Sequence, residues 1–421
     1  MLTAGSGPDL AAVRRFNRWR IGLFVHWGSY ALLGRGEQVL FREQLVPSTY
    51  VRPANRFRPN RFDANQWARD AKAAGMRYAV LTTKHHDGYC LFDSRRTDYC
   101  APRTGPGRDL VREFVRAFRA EGLGVGFYYS LADWRFPAYF EGARGDTPAL
   151  RRFVDYIHAQ VDELCSHYGR LDILWFDGAW PLSAERWRSD DLMAFIRRKQ
   201  PHALINNRAL RAGDFDTPEQ RIVASAPGRP WEACLTSQHR WWGYHAGESA
   251  WRTPRDVILA LARTAGGGGN LLLNVGPRAD GTWPARFHGI LRRLGAWLAV
   301  NGEAIYGTEA GVCDTWSIGQ MTVKGNRAYL LAFLWPGAEL HVGGLASRVT
   351  SARLLATGQE LAVVQQGEHL VLRGLPRRPP DLDCSVIALQ LDGPAKGAPW
   401  AAVRLWQPGA DPGAYASWAA S

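Results

Sequence analysis

YAVLTTKHHDGYCLFD, Tyr78 to Asp93, opens as a β-rich apolar run and stops on Lys84, His85, His86 and Asp87. A strand that ends on titratable groups holds them at the edge of a sheet. The same phrasing recurs along the chain. IGLFVHW ends on His26 and Trp27, GVGFYYS carries Tyr128 and Tyr129, DILWFDG ends on Asp177, ALINNR runs into Asn206, Asn207 and Arg208, and NLLLNVG is a further run. Between them lie DANQWARDAKAAG, DLVREFVRAFRAEG, LRRFVDYIHAQVDELCSHYG and DDLMAFIRRKQ, with apolar residues at the i, i+3, i+4 spacing of amphipathic helices. Asp63 and Asp190 are the expected N-caps of two of them. Such alternation predicts a parallel sheet with crossover helices. About six or seven units between residue 20 and residue 300 suit a TIM-like (β/α) barrel, regular or irregular, better than a doubly wound sheet. In a barrel the C-terminal ends of all strands share one face, so KHHD and the other strand ends converge there.

After Tyr306 the texture changes. RAYLLAFLW, SARLLAT, LAVVQQG, HLVLRGL and SVIALQL are short β runs separated by Gly and Pro with no helix between them, which predicts an antiparallel β-sandwich. The expected domains are a catalytic barrel over 1–308, a sandwich over 309–392, and an Ala/Gly/Pro-rich tail over 393–421 whose Trp400, Trp406 and Trp418 argue that it docks.

The formal charge of +13 raises nucleic acid as a partner, but nearly all the basic residues are Arg scattered along helix faces such as RDLVREFVRAFRAEG. That is the pattern of solvated surface, so no nucleic acid is expected. The six cysteines are far apart, without zinc or disulfide-framework spacing, which makes a reducing compartment the default. No signal-peptide h-region and no membrane-length apolar run is present, so a cytoplasmic location is expected, or a secreted or periplasmic one if a leader was removed. Assembly into a homo-oligomer is left open.

An ionised carboxylate directly after a buried strand costs desolvation free energy, so Asp177 is the leading candidate for a nucleophile, with an N-cap or ion-pair role as the bland alternative. Glycoside chemistry needs a second carboxylate. Glu219, in the polar stretch GDFDTPEQ read as a mobile loop, is favoured over Glu232 of RPWEACLTS. His26, His85 and His86 fit as neutral hydrogen-bonding groups for a polyol. A shared metal is disfavoured because adjacent residues on a strand point to opposite sides. Trp27, Tyr128, Trp175 and Trp242 are candidates for an apolar wall. GGGGN at Gly266–Asn270 follows a helix and precedes a strand, the wrong order for a phosphate loop, and reads as an αβ turn.

Taken in order, FNRWRIGLFVHWGSY, NRFDANQWARDAKAAGMRYAVLTTKHHDGY, GFYYSLADW, LDILWFDGAW, RPWEACLTS with WWGY, and GGGGNLLLNVGPRADGTWP with NGEAIYGT resemble glycoside hydrolase family 29, the α-L-fucosidases. The resemblance implies an irregular (β/α) barrel with a C-terminal β-sandwich, no metal or cofactor, and retaining hydrolysis of terminal α-linked L-fucose from a fucosylated oligosaccharide or glycoconjugate. It places the nucleophile at Asp177 and the sugar pocket at His26, Glu37, His85, His86, Tyr128 and Trp175, with Arg208 as the arginine of the NDR-like motif. It gives Glu219 as the acid/base of one branch of the family and Glu232 as that of others. GEQVLF departs from the pattern by placing Gln38 where the family commonly has Trp. A catalytically weak fucose-binding protein, a glycosidase for a related sugar, and a metal-dependent hydrolase built on His85, His86 and Asp87 are the rival readings.

Overall fold

In a computed structural model of the chain, which describes residues 9–313, 315 and 317–398, the first strands are buried along their whole length. Ile21–Val25 (β1), Tyr78–Lys84 (β2) and Gly124–Ser130 (β3) are followed by Ile173–Asp177 (β4), Leu204–Ile205 (β5), Glu232–Thr236 (β6) and Asn270–Val275 (β7). Burial on both faces is the mark of parallel strands covered by crossover helices. These strands pair in parallel in the order β5–β4–β3–β2–β1–β7–β6.

The gap between β5 and β6 is closed by a segment that the sequence presents as a loop. Phe215 bridges Asn206, Asp216 bridges Trp231 and Glu219 bridges Cys234, all in parallel. Backbone bonds from Glu232 N to Asp216 O (2.9 Å), Cys234 N to Pro218 O (3.1 Å) and Gln220 N to Cys234 O (3.0 Å) continue the ladder. Residues 215–219 are therefore an irregular stave, and the ring is a closed, eight-stave barrel. Reading GDFDTPEQ as a mobile loop is corrected here.

Inside the ring, Phe24, Tyr78, Val80, Tyr128, Ile173, Trp175, Phe215 and Leu272 form one core, joined by Phe16 from the helix Leu10–Trp19. The N-terminal end is filled by Tyr78, on whose ring Trp19 stacks at 5.0 Å. Gly22 makes room for that ring: a Cβ there would lie 2.4 Å from it, far inside van der Waals contact. With its lower end packed solid, the barrel can hold a cavity only at the C-terminal end. Asp63 caps the helix Ala64–Ala73 as expected, accepting from the Asn65 and Gln66 amides. Asp190 does not cap: it stands in the first turn of Ser189–Lys199 and pairs with Arg211 at 2.6 Å.

Among the described residues, packing separates two units between Ala299 and Val300, with Ala265–Gly268 grouped with the second. That second unit contains Glu309–Ala310 (β8), Gly319–Lys324 (β9), Arg327–Ala332 (β10), Glu339–Val342 (β11), Val349–Leu354 (β12), Glu360–Gln366 (β13), His369–Arg373 (β14) and Ser385–Leu391 (β15). They pair antiparallel in the order β11–β14–β13–β12–β15–β10–β9–β8. Leu340 and Leu372 from one end share a core with Met321, Leu330 and Leu389 from the other, so the sheet doubles over into the expected sandwich. Tail residues 399–421, with Trp400, Trp406 and Trp418, lie outside the described residues. Among those described, no helix is long and apolar enough to cross a membrane.

Candidate active site

β4 delivers Asp177 as its last residue, and Gly178 turns the chain away at φ +69. A Cβ at Gly178 would meet Ser130 Oγ at 2.8 Å and His86 Nδ1 at 3.0 Å, so only glycine lets the turn lie this close. The Asp177 side chain is 15% exposed and held from three sides. Tyr128 Oη donates to its Oδ2 at 3.0 Å, Arg208 Nη1 donates to Oδ1 at 3.4 Å, and His86 Nε2 lies 3.7 Å from Oδ2.

Arg208, just beyond β5, ties this carboxylate to a second one. Its guanidinium lies over the Trp175 ring at 4.6 Å and is anchored to the irregular stave through Thr217, Nε to Oγ1 at 2.9 Å and Nη2 to the carbonyl at 3.1 Å. The same Nη1 that reaches Asp177 donates to Glu219 Oε2 at 2.8 Å. Two oxygens on one nitrogen cannot be farther apart than the sum of their distances to it, here about 6 Å. Retaining glycosidases hold their carboxyl groups about 5–5.5 Å apart and inverting ones about 6.5–9.5 Å apart.

Around these groups lies a cavity of about 120 Å³, lined by Asp177, Glu219, Arg208, Tyr128, Trp175, Trp242, His26, His85 and His86, and also by Phe24, Gln38 and Trp180. It is well below the roughly 300–1,000 Å³ of drug-sized pockets, which suits a single small ring. The histidines are its polar lining, and burial keeps them neutral. It lowers His26 to about 3 and His86 to about 4, and lowers His85 as well. His26 has a defined tautomer: Asn274 Nδ2 donates to the Trp242 carbonyl at 2.7 Å, so Asn274 Oδ1 must accept from His26 Nδ1 at 2.6 Å. Nε2 of His26 is then an acceptor, suited to a sugar hydroxyl. His86 Nδ1 is bonded to Ser130 Oγ at 2.6 Å, and His85 stacks on Tyr128 with ring centroids 5.5 Å apart.

Several sequence expectations are placed differently. His85 and His86 do not point to opposite sides; both line the cavity with centroids 4.1 Å apart, because β2 ends at Lys84 and they sit in the turn beyond it. Asp87 faces away, accepting from Tyr50 Oη at 2.8 Å and the Tyr89 amide at 3.2 Å, so it does not join the two imidazoles in a ligand set. Trp27 packs outside the ring against Phe57, Phe62 and Trp67. Phe24, one alternation before His26, takes the wall position instead. Glu37 is buried behind the wall, where its Oε2 accepts from the Gly243 amide at 2.8 Å and burial raises its pKa.

Glu232 is inside the barrel core, fully buried and off the cavity wall. It accepts from Tyr78 Oη and from Trp175 Nε1, the latter at 3.1 Å. Burial raises its pKa from 4.5 to about 7, against the lowering effect of those two bonds. A raised carboxyl stabilises the fold fully below about pH 4.5, and that contribution is lost as pH rises through about 7. Glu232→Gln keeps one donor and one acceptor without the charge. Relative to the variant, the wild type should lose on the order of 3 kcal/mol of stability between pH 4.5 and pH 8. Chemical unfolding of both proteins at the two pH values checks this; a difference independent of pH would remove the assignment.

The match to family models covers residues 9–303 and is to Alpha-L-fucosidase. Plasma alpha-L-fucosidase of Homo sapiens is 30% identical, over 86% of this chain and 85% of that protein. Alpha-L-fucosidase isoenzyme 1 from Paenibacillus thiaminolyticus is 40% identical with a TM-score of 0.85, over 90% of this chain and 99% of that one. A GH29 alpha-L-fucosidase from Bacteroides thetaiotaomicron, solved as a trapped covalent intermediate with 2-fluoro-fucosyl fluoride using a Glu-to-Gln mutant, is 28% identical with a TM-score of 0.85, over 93% of this chain and 98% of that one. A family match over most of the chain, joined to relatives of this identity and coverage, means that the chain belongs to the α-L-fucosidase family, glycoside hydrolase family 29.

Proposed function

We propose that this protein is a retaining, exo-acting α-L-fucosidase that releases terminal α-linked L-fucose from glycans or glycoconjugates, with Asp177 as nucleophile and Glu219 as acid/base. The observation that carries this reading is Arg208 Nη1, which draws both carboxylates to within about 6 Å of each other at the wall of a cavity sized for one sugar ring. In the first step an Asp177 oxygen bonds to the anomeric carbon as the glycosidic bond breaks, and Glu219 delivers its proton to the departing oxygen. In the second, Glu219 takes a proton from water, whose oxygen attacks the same carbon and releases Asp177. Two inversions give net retention.

The surroundings support each part. Tyr128 and Arg208 each donate a hydrogen bond to Asp177 and fix the orientation of its carboxyl group for attack. Neutral His26, His85 and His86 meet hydroxyls, while Trp175 and Trp242 cover the apolar face of the sugar. Glu37 acts indirectly here, by holding the backbone next to Trp242. The covalent intermediate trapped in the Bacteroides relative fits the same double displacement.

A screen of aryl α-pyranosides, fucose against galactose among them, should show turnover of the fucoside. Proton NMR of the first product formed should show α-L-fucopyranose before mutarotation. Initial β-anomer means a single displacement and ends the reading. Binding of fucose without turnover of any glycoside leaves a fucose-binding protein instead.

A further inference from the structure

Two histidines that take no part in the sugar site face each other on the outer surface of the sandwich. His341 lies on β11 and His369 opens β14, its antiparallel partner. The register sets His341 opposite Val371, so His369, two residues before Val371, is a diagonal neighbour on the same face. Leu340, Val342, Leu370 and Leu372 alternate with them and fill the core, which leaves both imidazoles exposed. His341 Nδ1 and His369 Nε2 stand 3.2 Å apart.

A neighbouring carboxylate fixes which ring nitrogen does what. Glu339, two residues before His341 on β11, is held at both oxygens: Oε2 accepts from Arg373 Nε at 2.6 Å and Oε1 from His341 Nε2 at 2.8 Å. Those bonds lower its pKa, so it stands as a carboxylate and can only accept. Nε2 of His341 therefore carries the proton, and in the neutral ring Nδ1 presents its lone pair toward His369. Two imidazole nitrogens each about 2.0–2.1 Å from one ion stand about 3.3 Å apart at a tetrahedral angle and about 2.9 Å apart at a square-planar right angle. The observed 3.2 Å lies between these values. A carboxylate behind one imidazole is the usual outer partner of a metal-bound histidine, because it sets the tautomer and raises the basicity of the ligating nitrogen. Among the described residues no group of three or more His, Cys, Asp or Glu side chains is placed to hold an ion, so water would complete the coordination of this pair.

We propose that His341 and His369 form a bidentate site for a divalent late first-row transition ion, copper(II) or zinc(II), with Glu339 as the positioning residue, and that the bound ion clips β11, an edge strand of the sheet, to β14. On binding, His369 moves its proton from Nε2 to Nδ1, so both ligands are neutral and no proton is lost. The proposal is independent of the fucosidase reading. Copper(II) is the first probe, because it heads the affinity order of these ions. The full chain, free of metal and without a histidine tag, is titrated with copper(II) beside His341→Ala, His369→Ala and Glu339→Ala, and followed by calorimetry and electron paramagnetic resonance. All three side chains are on the outer surface, so truncation leaves the core untouched. The wild type should bind with the hyperfine pattern of two imidazole nitrogens. Glu339→Ala should bind about tenfold more weakly, the low end for a lost outer partner, and each histidine variant more weakly still. Zinc(II) should slow amide exchange along β11 in the wild type and leave it unchanged in the histidine variants. Copper affinity equal to wild type in both histidine variants means an adventitious ion only and overturns the proposal. So does a loss in one histidine variant but not the other, which leaves a single imidazole, and so does undiminished binding by Glu339→Ala.

Discussion

Asp177→Asn should lower kcat on an aryl α-L-fucoside by on the order of 10⁴-fold, about 5 kcal/mol of transition-state stabilisation, while the protein remains folded. The amide keeps the size of the carboxylate and one oxygen to accept from Tyr128, and Arg208 keeps Glu219 as a partner. What the substitution removes is the nucleophilic oxygen. A stronger form of the test uses Asp177→Gly with azide. The small anion can enter the space vacated by the carboxylate and attack the anomeric carbon from that side, so an α-fucoside should give β-L-fucosyl azide after a single inversion. Near-normal turnover by Asp177→Asn, or α-L-fucosyl azide from Asp177→Gly, means that Asp177 is not the nucleophile.

How far the sequence could carry this assignment depended on where pairing is local and where it is set by ring closure. β1 to β4 and β7 announce themselves because each is a contiguous apolar run flanked by an amphipathic helix. The stave 215–219 gives no such signal. Pro218 interrupts it, Asp216 and Glu219 make it polar, and its partners are set only when β5 and β6 are brought to either side of it. Reading it as a mobile loop put Glu219 near the chemistry for the wrong reason: the ladder to Cys234 and the Arg208–Thr217 bonds hold it there. Other details were legible and unused. Period-two alternation places Phe24 and His26 on one side of β1 and Trp27 on the other, which would have found the wall residue. Asn274, a polar residue in the apolar run NLLLNVG, carries a similar signal, since a buried amide needs a partner and here it sets the tautomer of His26. The burial of Glu37 and the depth of Glu232 below the cavity had no sequence signal, because both depend on which strands close over them.

That depth decides the second large effect. Glu219 is 42% exposed at the cavity wall, one hydrogen bond from the arginine that also touches Asp177, and it can exchange protons with solvent between the two steps. Glu232 has no such route: it is fully buried under Trp175 and already accepts from Tyr78 and Trp175. Glu219→Ala should therefore lose about 10²- to 10⁴-fold in kcat/KM on substrates whose leaving group needs a proton, such as fucosyl-lactose, the usual worth of general acid catalysis. It should lose far less on α-L-fucosyl fluoride or a dinitrophenyl fucoside, whose leaving groups depart with little help. With these activated substrates the fucosyl-enzyme then accumulates, because the base that activates water has gone. Azide needs no base, so its addition should raise the rate and give α-L-fucosyl azide, the product of two inversions and the opposite anomer to that from Asp177→Gly. Stability should change little, since an ion pair this exposed contributes about 1 kcal/mol or less. Glu232→Gln in the same assays should show neither the dependence on leaving group nor the azide response, because its carboxyl never meets the scissile oxygen. If instead azide rescues a Glu232 variant and leaves Glu219→Ala unchanged, the proton reaches the substrate from inside the barrel, and the link through Arg208 Nη1 is an electrostatic feature of the site rather than its acid/base pairing.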